Sequence, residues 1–257
     1  MSIKKLKNVN SYDLLKTAAF LLMLIDHIGV YFYPDETWLR VIGRFCVPIW
    51  CFLIGYAMTR KIGYDLWLGV ATLIIANIIT GGAVFPITIL LTFIIIRLAL
   101  DPVARLGLAS KERFIILISI IFIGLFPSMM LVEYGTAAFA LALSGYAVRH
   151  GGVYAIPLYI SGFIVFIFSQ IVTFNFEFIQ TMSLIAGVGF IAYGLWRFSP
   201  AEFPHFKNEI MVAVFKGVGR HTLILYVLHL ILFKVIAASL ALNGYAWFKM
   251  FLPSELP

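Results

Sequence analysis

Charged residues are scarce in this chain: they make up 12% of its 257 residues, whereas 62% are hydrophobic. Soluble domains are about 25% charged and about 45–50% apolar. A soluble core of this size would leave too few charges to cover its surface, so the composition excludes a soluble domain and indicates a polytopic membrane protein. The net charge of +7 then indicates basic cytoplasmic loops rather than a nucleic-acid-binding surface.

Several chemical signatures are missing as well. The two cysteines, Cys46 and Cys51, lie five residues apart in one apolar stretch, which places them on different faces of a helix. They are therefore predicted to form neither a disulfide nor a metal site. The patterns G-x-x-x-x-G-K-[ST], G-x-S-x-G and H-E-x-x-H do not occur, so nothing supports an ATPase, a serine hydrolase or a zinc protease.

Long apolar segments are abundant, and their short connections predict a single all-α bundle over residues 1–257 without a soluble domain. About nine transmembrane spans are expected. They lie near residues 12–33, 38–58, 64–80, 84–100, 113–128, 130–148, 153–173, 178–198 and 218–241.

The distribution of lysine and arginine predicts the orientation of this bundle. With a cytoplasmic N-terminus, 15 of the 19 basic residues fall on the inner side, as the positive-inside rule requires. They are Lys4, Lys5, Lys7, Lys16, Arg60, Lys61, Arg97, Arg105, Lys111, Arg113, Arg149, Arg197, Lys207, Lys216 and Arg220.

The first predicted span carries Asp26 and His27 side by side among leucines and isoleucines. Ionisable groups inside a membrane cost several kcal/mol unless they are paired or hydrated, so by default they indicate a functional site. Neighbours on a helix point about 100° apart, so Asp26 is expected to pair with Arg44 of the second span while His27 faces a cavity. The alternative is a purely architectural polar cluster.

The second span contains the segment Gly43–Pro48, GRFCVP. Gly43 permits a close helix approach, Arg44 offers a fixed cationic fork, and Pro48 is expected to kink the span. The alternative is an arginine that snorkels to the outer interface.

Two further groups of candidate residues lie in later spans: Glu133 is predicted to share the outer half of the membrane with Asp26, His27 and Arg44, and His229 to lie near the middle of its span. Glu133 and Tyr134 begin the sixth span, and Tyr226 and His229 share one face of the ninth span at a spacing of three residues. We expect these four residues to bind substrate. The alternative for a lone histidine is a core residue that is merely buried with its hydrogen-bonding groups paired. Gly217, Gly219 and Arg220 precede the ninth span, and glycines at a helix start are a weak indication of phosphate binding.

Together these motifs resemble the TraX family, the F-pilin acetylases. The resemblance rests on YDLLKTAAFLLMLIDHIGV, WLRVIGRFCVPIWCFLIGYA, EYGTAAFALALSGYAVR and HTLILYVLHLILF, which cover nearly the whole chain in order. It implies a multi-pass protein of the bacterial inner membrane, in contact with lipid and active in conjugation, that acetylates the N-terminal amine of a pilin subunit with acetyl-CoA as donor. It also implies kinship with membrane acyltransferases that use a first-span histidine, a position matched here by His27.

The resulting hypothesis is acetyl transfer inside the membrane to a pilin N-terminus or another small acceptor, with no nucleic-acid partner. His27 would act as general base, because imidazole titrates near neutrality. Asp26 and Arg44 would set the local electrostatics, and acetyl-CoA would bind near Gly217, Gly219 and Arg220. The alternatives are a proton-coupled small-molecule transporter and a non-catalytic subunit of a pilus or secretion system.

Overall fold

Helices dominate the computed structural model of this chain, which describes residues 8–204 and 208–249. The basic residues Lys4, Lys5, Lys7 and Lys207 of the charge count lie outside the described residues. The helices are α1 (Ser11–Phe32), α2 (Thr37–Gly43), α3 (Cys46–Tyr56), α4 (Tyr64–Ile79), α5 (Ile89–Gly107), α6 (Lys111–Ile123), α7 (Leu125–Leu131), α8 (Gly135–His150), α9 (Ala155–Phe174), α10 (Phe178–Trp196), α11 (Glu209–Arg220) and α12 (Thr222–Ser239). A two-residue antiparallel pair joins strand β1 (Val9–Asn10) to strand β2 (Glu202–Phe203).

Five helices among the described residues are long and apolar enough to cross a membrane. They are α1, the consecutive pair α2 and α3, α9, α10 and α12. The pair α6 and α7 is a sixth candidate, bent by 53° at its break. The all-α fold with several apolar spans is therefore confirmed, while the count of nine spans and the cytoplasmic N-terminus stay predictions.

The other apolar segments form helices that differ from the predicted spans. Helix α4 has 16 residues, fewer than a bilayer crossing needs. Helix α5 begins at Ile89 rather than near residue 84, because the Thr88 side chain caps its first turn, and it continues to Gly107 beyond the predicted end. The break in the second span lies at Arg44 and Phe45, ahead of Pro48, which occupies the first turn of α3, where proline is tolerated.

Helix α8 lies at the centre of the bundle, and its composition explains why. It is rich in alanine, glycine and serine, and most of its residues are buried. A Cβ atom on Gly55 of α3 would overlap the carbonyl of Ala142, and one on Gly145 would overlap the carbonyl of Phe52. Small residues of this kind let membrane helices approach until their backbones touch, so α3 and α8 form a fixed wall behind the polar residues of α1.

Helices α1 and α12 run parallel to each other. A capping box of Asn10 and Asp13 fixes the start of α1, and Arg220, just before α12, pairs with Asp13 at 3.1 Å. Farther along, His27 contacts His229. Contacts therefore advance in the same direction along both helices, so equivalent ends of α1 and α12 lie on the same side of the bundle.

Candidate active site

Asp26 is buried at the crossing of α1 and α2 and holds two arginines. Its carboxylate lies 3.0 Å from Arg40 Nη1 and 3.4 Å from Arg44 Nε. Arg40 also donates to the Asp26 carbonyl at 3.0 Å. A Cβ atom on Gly43 would overlap Asp26, so glycine at this position is what allows α2 to approach α1 closely enough for both ion pairs.

Arg44 is fixed on its other sides by aromatic rings. Its guanidinium carbon lies 4.4 Å from the ring centroid of Phe174, and an N–H of Arg44 donates to the Tyr134 hydroxyl oxygen. Because that oxygen accepts from Arg44, the Tyr134 hydroxyl proton is free to be donated elsewhere. A cation in this position polarises the phenol and strengthens it as a hydrogen-bond donor.

His27 of α1 and His229 of α12 form a hydrogen-bonded pair in which the tautomer of each ring is fixed. The Nδ1 atom of His27 lies 2.7 Å from Nε2 of His229, and Nδ1 of His229 lies 2.9 Å from the carbonyl oxygen of Leu225. A carbonyl oxygen only accepts, so His229 Nδ1 carries a proton. In the neutral pair His229 Nε2 must then accept from His27 Nδ1, which leaves the unprotonated lone pair of His27 on Nε2.

This Nε2 atom has no hydrogen-bond partner within residues 8–204 and 208–249. The ring that bears it is held by aromatic neighbours as well as by His229. The centroid of Tyr31 lies 6.4 Å away and that of Tyr226 6.2 Å away. The arrangement therefore presents one basic nitrogen in a fixed direction, which is what a general base requires.

Glu133 is anchored to the beginning of α5. Its carboxylate accepts from the backbone N–H of Ile89 at 2.8 Å, and its carbonyl oxygen accepts from the Thr92 hydroxyl at 2.7 Å. Tyr134, which follows, adopts a left-handed conformation with φ of 63° just before α8. This turn is uncommon for a bulky residue, and it directs the Tyr134 side chain toward Arg44.

Two cavities meet at this cluster. The proximal cavity, of about 380 Å³, extends from His27 toward the beginning of α1, past Met23 and Lys16. The distal cavity, of about 400 Å³, extends from His27 toward the end of α1, past Tyr31. Both are lined by the same five side chains, which together form a polar layer between them: Asp26, His27, Glu133, Tyr134 and Tyr226.

The structure thus gathers seven of the residues predicted from the sequence. Asp26 and Arg44 are paired as expected, and His27 faces cavities as expected. The other members are Glu133, Tyr134, Tyr226 and His229. His229 differs from its expected role, because it contacts His27 rather than lining a cavity.

The remaining three residues lie elsewhere. Gly217, Gly219 and Arg220 form the last turn of α11, so the expectation of a helix start is wrong. A Cβ atom on Gly219 would come within 2.7 Å of the Asp13 backbone, and Arg220 is paired with Asp13. None of the three lines either cavity. The contacts of Gly219 and Arg220 fasten α11 to α1. Helix α11 itself, with exposed Ile210 and Val214, was not predicted.

Two residues of the site were not predicted from the sequence. Arg40 lies four residues before Arg44, and this spacing, which places both on one helix face, was the available signal. Lys234 lies within α12, in the ninth predicted span. It is 7% exposed and lines the distal cavity, and a lysine inside an apolar span was the available signal.

A family model described as "TraX protein" matches residues 11–237. An uncharacterized protein, RP591, of Rickettsia prowazekii (strain Madrid E) is 33% identical over 148 residues, which cover 55% of this chain and 57% of that protein. The match thus spans little more than half of the relative's length. No solved structure is significantly similar to this chain.

Proposed function

The chain belongs to the TraX family, and on that premise we propose that it is an acetyltransferase of the bacterial inner membrane. The donor is acetyl-CoA, and the acceptor is an amine such as the N-terminus of a pilin subunit. The observation that carries the proposal is the histidine pair, which leaves a basic nitrogen of His27 at the junction of two cavities. Two reactants that arrive from opposite sides would meet at that atom.

The reaction joins the acceptor nitrogen to the acetyl carbon and breaks the thioester C–S bond. His27 Nε2 takes the proton that the amine loses on attack and returns it to the departing thiolate, so the enzyme ends as it began. The Tyr134 hydroxyl, polarised by Arg44, donates to the oxyanion of the tetrahedral intermediate. Asp26 offsets the charge of the two arginines.

The donor enters the proximal cavity in this proposal. Lys16 and Arg97 line that cavity, and the predicted orientation of the bundle puts both on the cytoplasmic side. Lys16 precedes His27 by eleven residues, or about 16 Å of helix. These two cations are better placed to bind the phosphates of acetyl-CoA than the predicted Gly217, Gly219 and Arg220.

Replacement of Lys16 by glutamine is expected to raise the KM for acetyl-CoA by about 10-fold with little change in kcat, because one charge-assisted contact to the donor is lost. Initial rates at varied donor concentration measure the effect. Lys111→Gln, an exposed change in α6, is the matched control and should leave KM unchanged. If the two substitutions changed KM equally, Lys16 would not be part of the donor-binding site.

Replacement of His229 by alanine is expected to lower kcat by about 10- to 100-fold while the KM values stay within a few-fold, because His27 keeps its position but loses the partner that selects its tautomer. His229→Gln, which retains an acceptor on a side chain of similar reach, should restore part of the rate. A purely structural role predicts instead that both variants lose thermal stability and activity together.

The direct test uses purified protein, labelled acetyl-CoA and a panel of short peptides with free N-termini. Transfer of label to a peptide, lost in His27→Ala, supports the proposal. Binding of the donor without transfer to any peptide indicates that a different acceptor is required. Absence of donor binding in a folded preparation contradicts the proposal.

A transporter is the second candidate, because carboxylates and a histidine form a layer between two cavities, as in a proton relay. Proton-coupled uptake into sealed vesicles without acetyl-CoA would favour it. A non-catalytic assembly subunit predicts neither uptake nor transfer, and His27→Ala would then affect assembly no more than other interior substitutions.

A further inference from the structure

Lys234 is a buried cation in the distal cavity. Its side chain lies in the second half of α12 and is 7% exposed. Its ammonium nitrogen lies 5.2 Å from the ring centroid of Tyr31 and 5.7 Å from that of Tyr245, and all three side chains line the distal cavity. Two aromatic faces thus hold the ammonium group against the cavity.

No acidic side chain in the described part of the chain lies within 4 Å of this ammonium group. The two carboxylates of the polar layer are occupied elsewhere. Asp26 is paired with Arg40 and Arg44, and Glu133 accepts from the amide of Ile89. Glu133 attracts the ammonium group from beyond ion-pair distance. The tyrosine rings and this distant carboxylate offset only part of the cost of burying an ammonium ion, so Lys234 has no directly bonded anion among the described residues.

We infer that Lys234 binds a carboxylate of the acceptor, an inference that rests on the proposed function and specifies its acceptor. His229, which touches His27, precedes Lys234 by five residues, a rise of about 7–8 Å along α12. The Tyr31 ring lies beside both groups, 6.4 Å from the His27 ring and 5.2 Å from the Lys234 ammonium nitrogen, so the acceptor has to bridge one aromatic side chain. An extended peptide rises about 3.3 Å per residue. The acceptor is therefore a peptide amine with an acidic side chain at its second or third residue.

A carboxylate fits this position better than a phosphate does. A phosphate group is usually bound by several donors at once, such as a lysine beside an arginine fork or backbone amides. Both arginines of the distal cavity, Arg40 and Arg44, are already held by Asp26. Lys234 offers a single point charge, which one carboxylate neutralises.

The test compares two amidated peptides with free N-termini, Ala-Ala-Asp-Ala and Ala-Ala-Asn-Ala, so that the aspartate side chain is the sole anion. The intact protein is expected to acetylate the aspartate peptide with a kcat/KM about 10-fold higher. Lys234→Met should bring the ratio close to one, and Lys234→Arg should retain it. Lys249→Met removes an exposed lysine from the same end of the bundle and should leave the ratio unchanged.

Binding of the same peptides separates this inference from the proposed function. His27→Ala protein should bind the aspartate peptide about 10-fold more tightly than the asparagine peptide, and the added Lys234→Met change should remove that difference. Transfer without an aspartate preference overturns the inference and leaves the acetyltransferase proposal standing. A binding preference in protein that neither binds acetyl-CoA nor transfers its acetyl group supports the carboxylate site and overturns the acetyltransferase proposal. Absence of transfer, of donor binding and of the binding preference overturns both.

Discussion

Replacement of His27 by alanine lowers the rate of acetyl transfer by about 10²- to 10⁴-fold, the range that a positioned general base contributes. The structure gives the physical reason: His229 fixes the tautomer of His27, so a ring that lines both cavities keeps its Nε2 atom unprotonated. Initial rates with saturating donor and acceptor measure the loss. The rate of the unmodified protein should also fall in acid, because a protonated imidazole accepts no proton.

The control for this change is His150→Ala. His150 is exposed at the end of α8 and bonds to the carbonyl of Tyr146 in its own helix. Its loss should leave the rate within about two-fold, since surface substitutions alter little. His27→Ala protein that folds normally and transfers acetyl groups at the unmodified rate would exclude His27 as the base.

Replacement of Asp26 by alanine destabilises the protein by about 3–5 kcal/mol and abolishes transfer. Removing one partner of a buried ion pair leaves the other charge without compensation, and here the carboxylate serves both Arg40 and Arg44. With Asp26 gone, Arg44 shifts and the Tyr134 hydroxyl loses the cation that polarises it. Thermal unfolding in detergent, followed together with the transfer rate, measures both effects.

Asp101→Ala is the matched control for this second prediction. Asp101 pairs with Arg60 at 3.0 Å, but its side chain is 44% exposed. Exposed ion pairs contribute about 0–1 kcal/mol, so the midpoint of unfolding should move little. If Asp26→Ala and Asp101→Ala unfolded at the same temperature, the buried charge cluster would not be the main stabilising feature of this region.

Much of the site could be predicted from the sequence because membranes penalise unpaired charges. Asp26 and Arg44 were expected to pair for this reason, and they do. Helix α1, at Ser11–Phe32, also matches the span predicted near residues 12–33, because one unbroken apolar run specifies one helix.

Other features could not be predicted, since they depend on distances between remote segments. His27 and His229 are 202 positions apart, and nothing in either span specifies that they touch or which nitrogen faces which. The contacts of Lys234 with Tyr31 and Tyr245 could not be predicted for the same reason, since they also join remote parts of the chain. The broken span of α6 and α7 was also missed, because hydropathy is insensitive to a 53° bend within an apolar run.

The histidine contact between α1 and α12 also implies an order of assembly during synthesis. Arg40 and Arg44 follow Asp26 by 14 and 18 positions, so this ion cluster forms as soon as the first helical hairpin enters the membrane. His229 is translated roughly 200 residues later, at about 5–20 residues per second. In a ribosome-bound chain the Asp26 carboxylate is thus neutralised early, whereas His27 has no partner to orient it until α12 has inserted. The candidate site is therefore complete only after α12 has docked against α1.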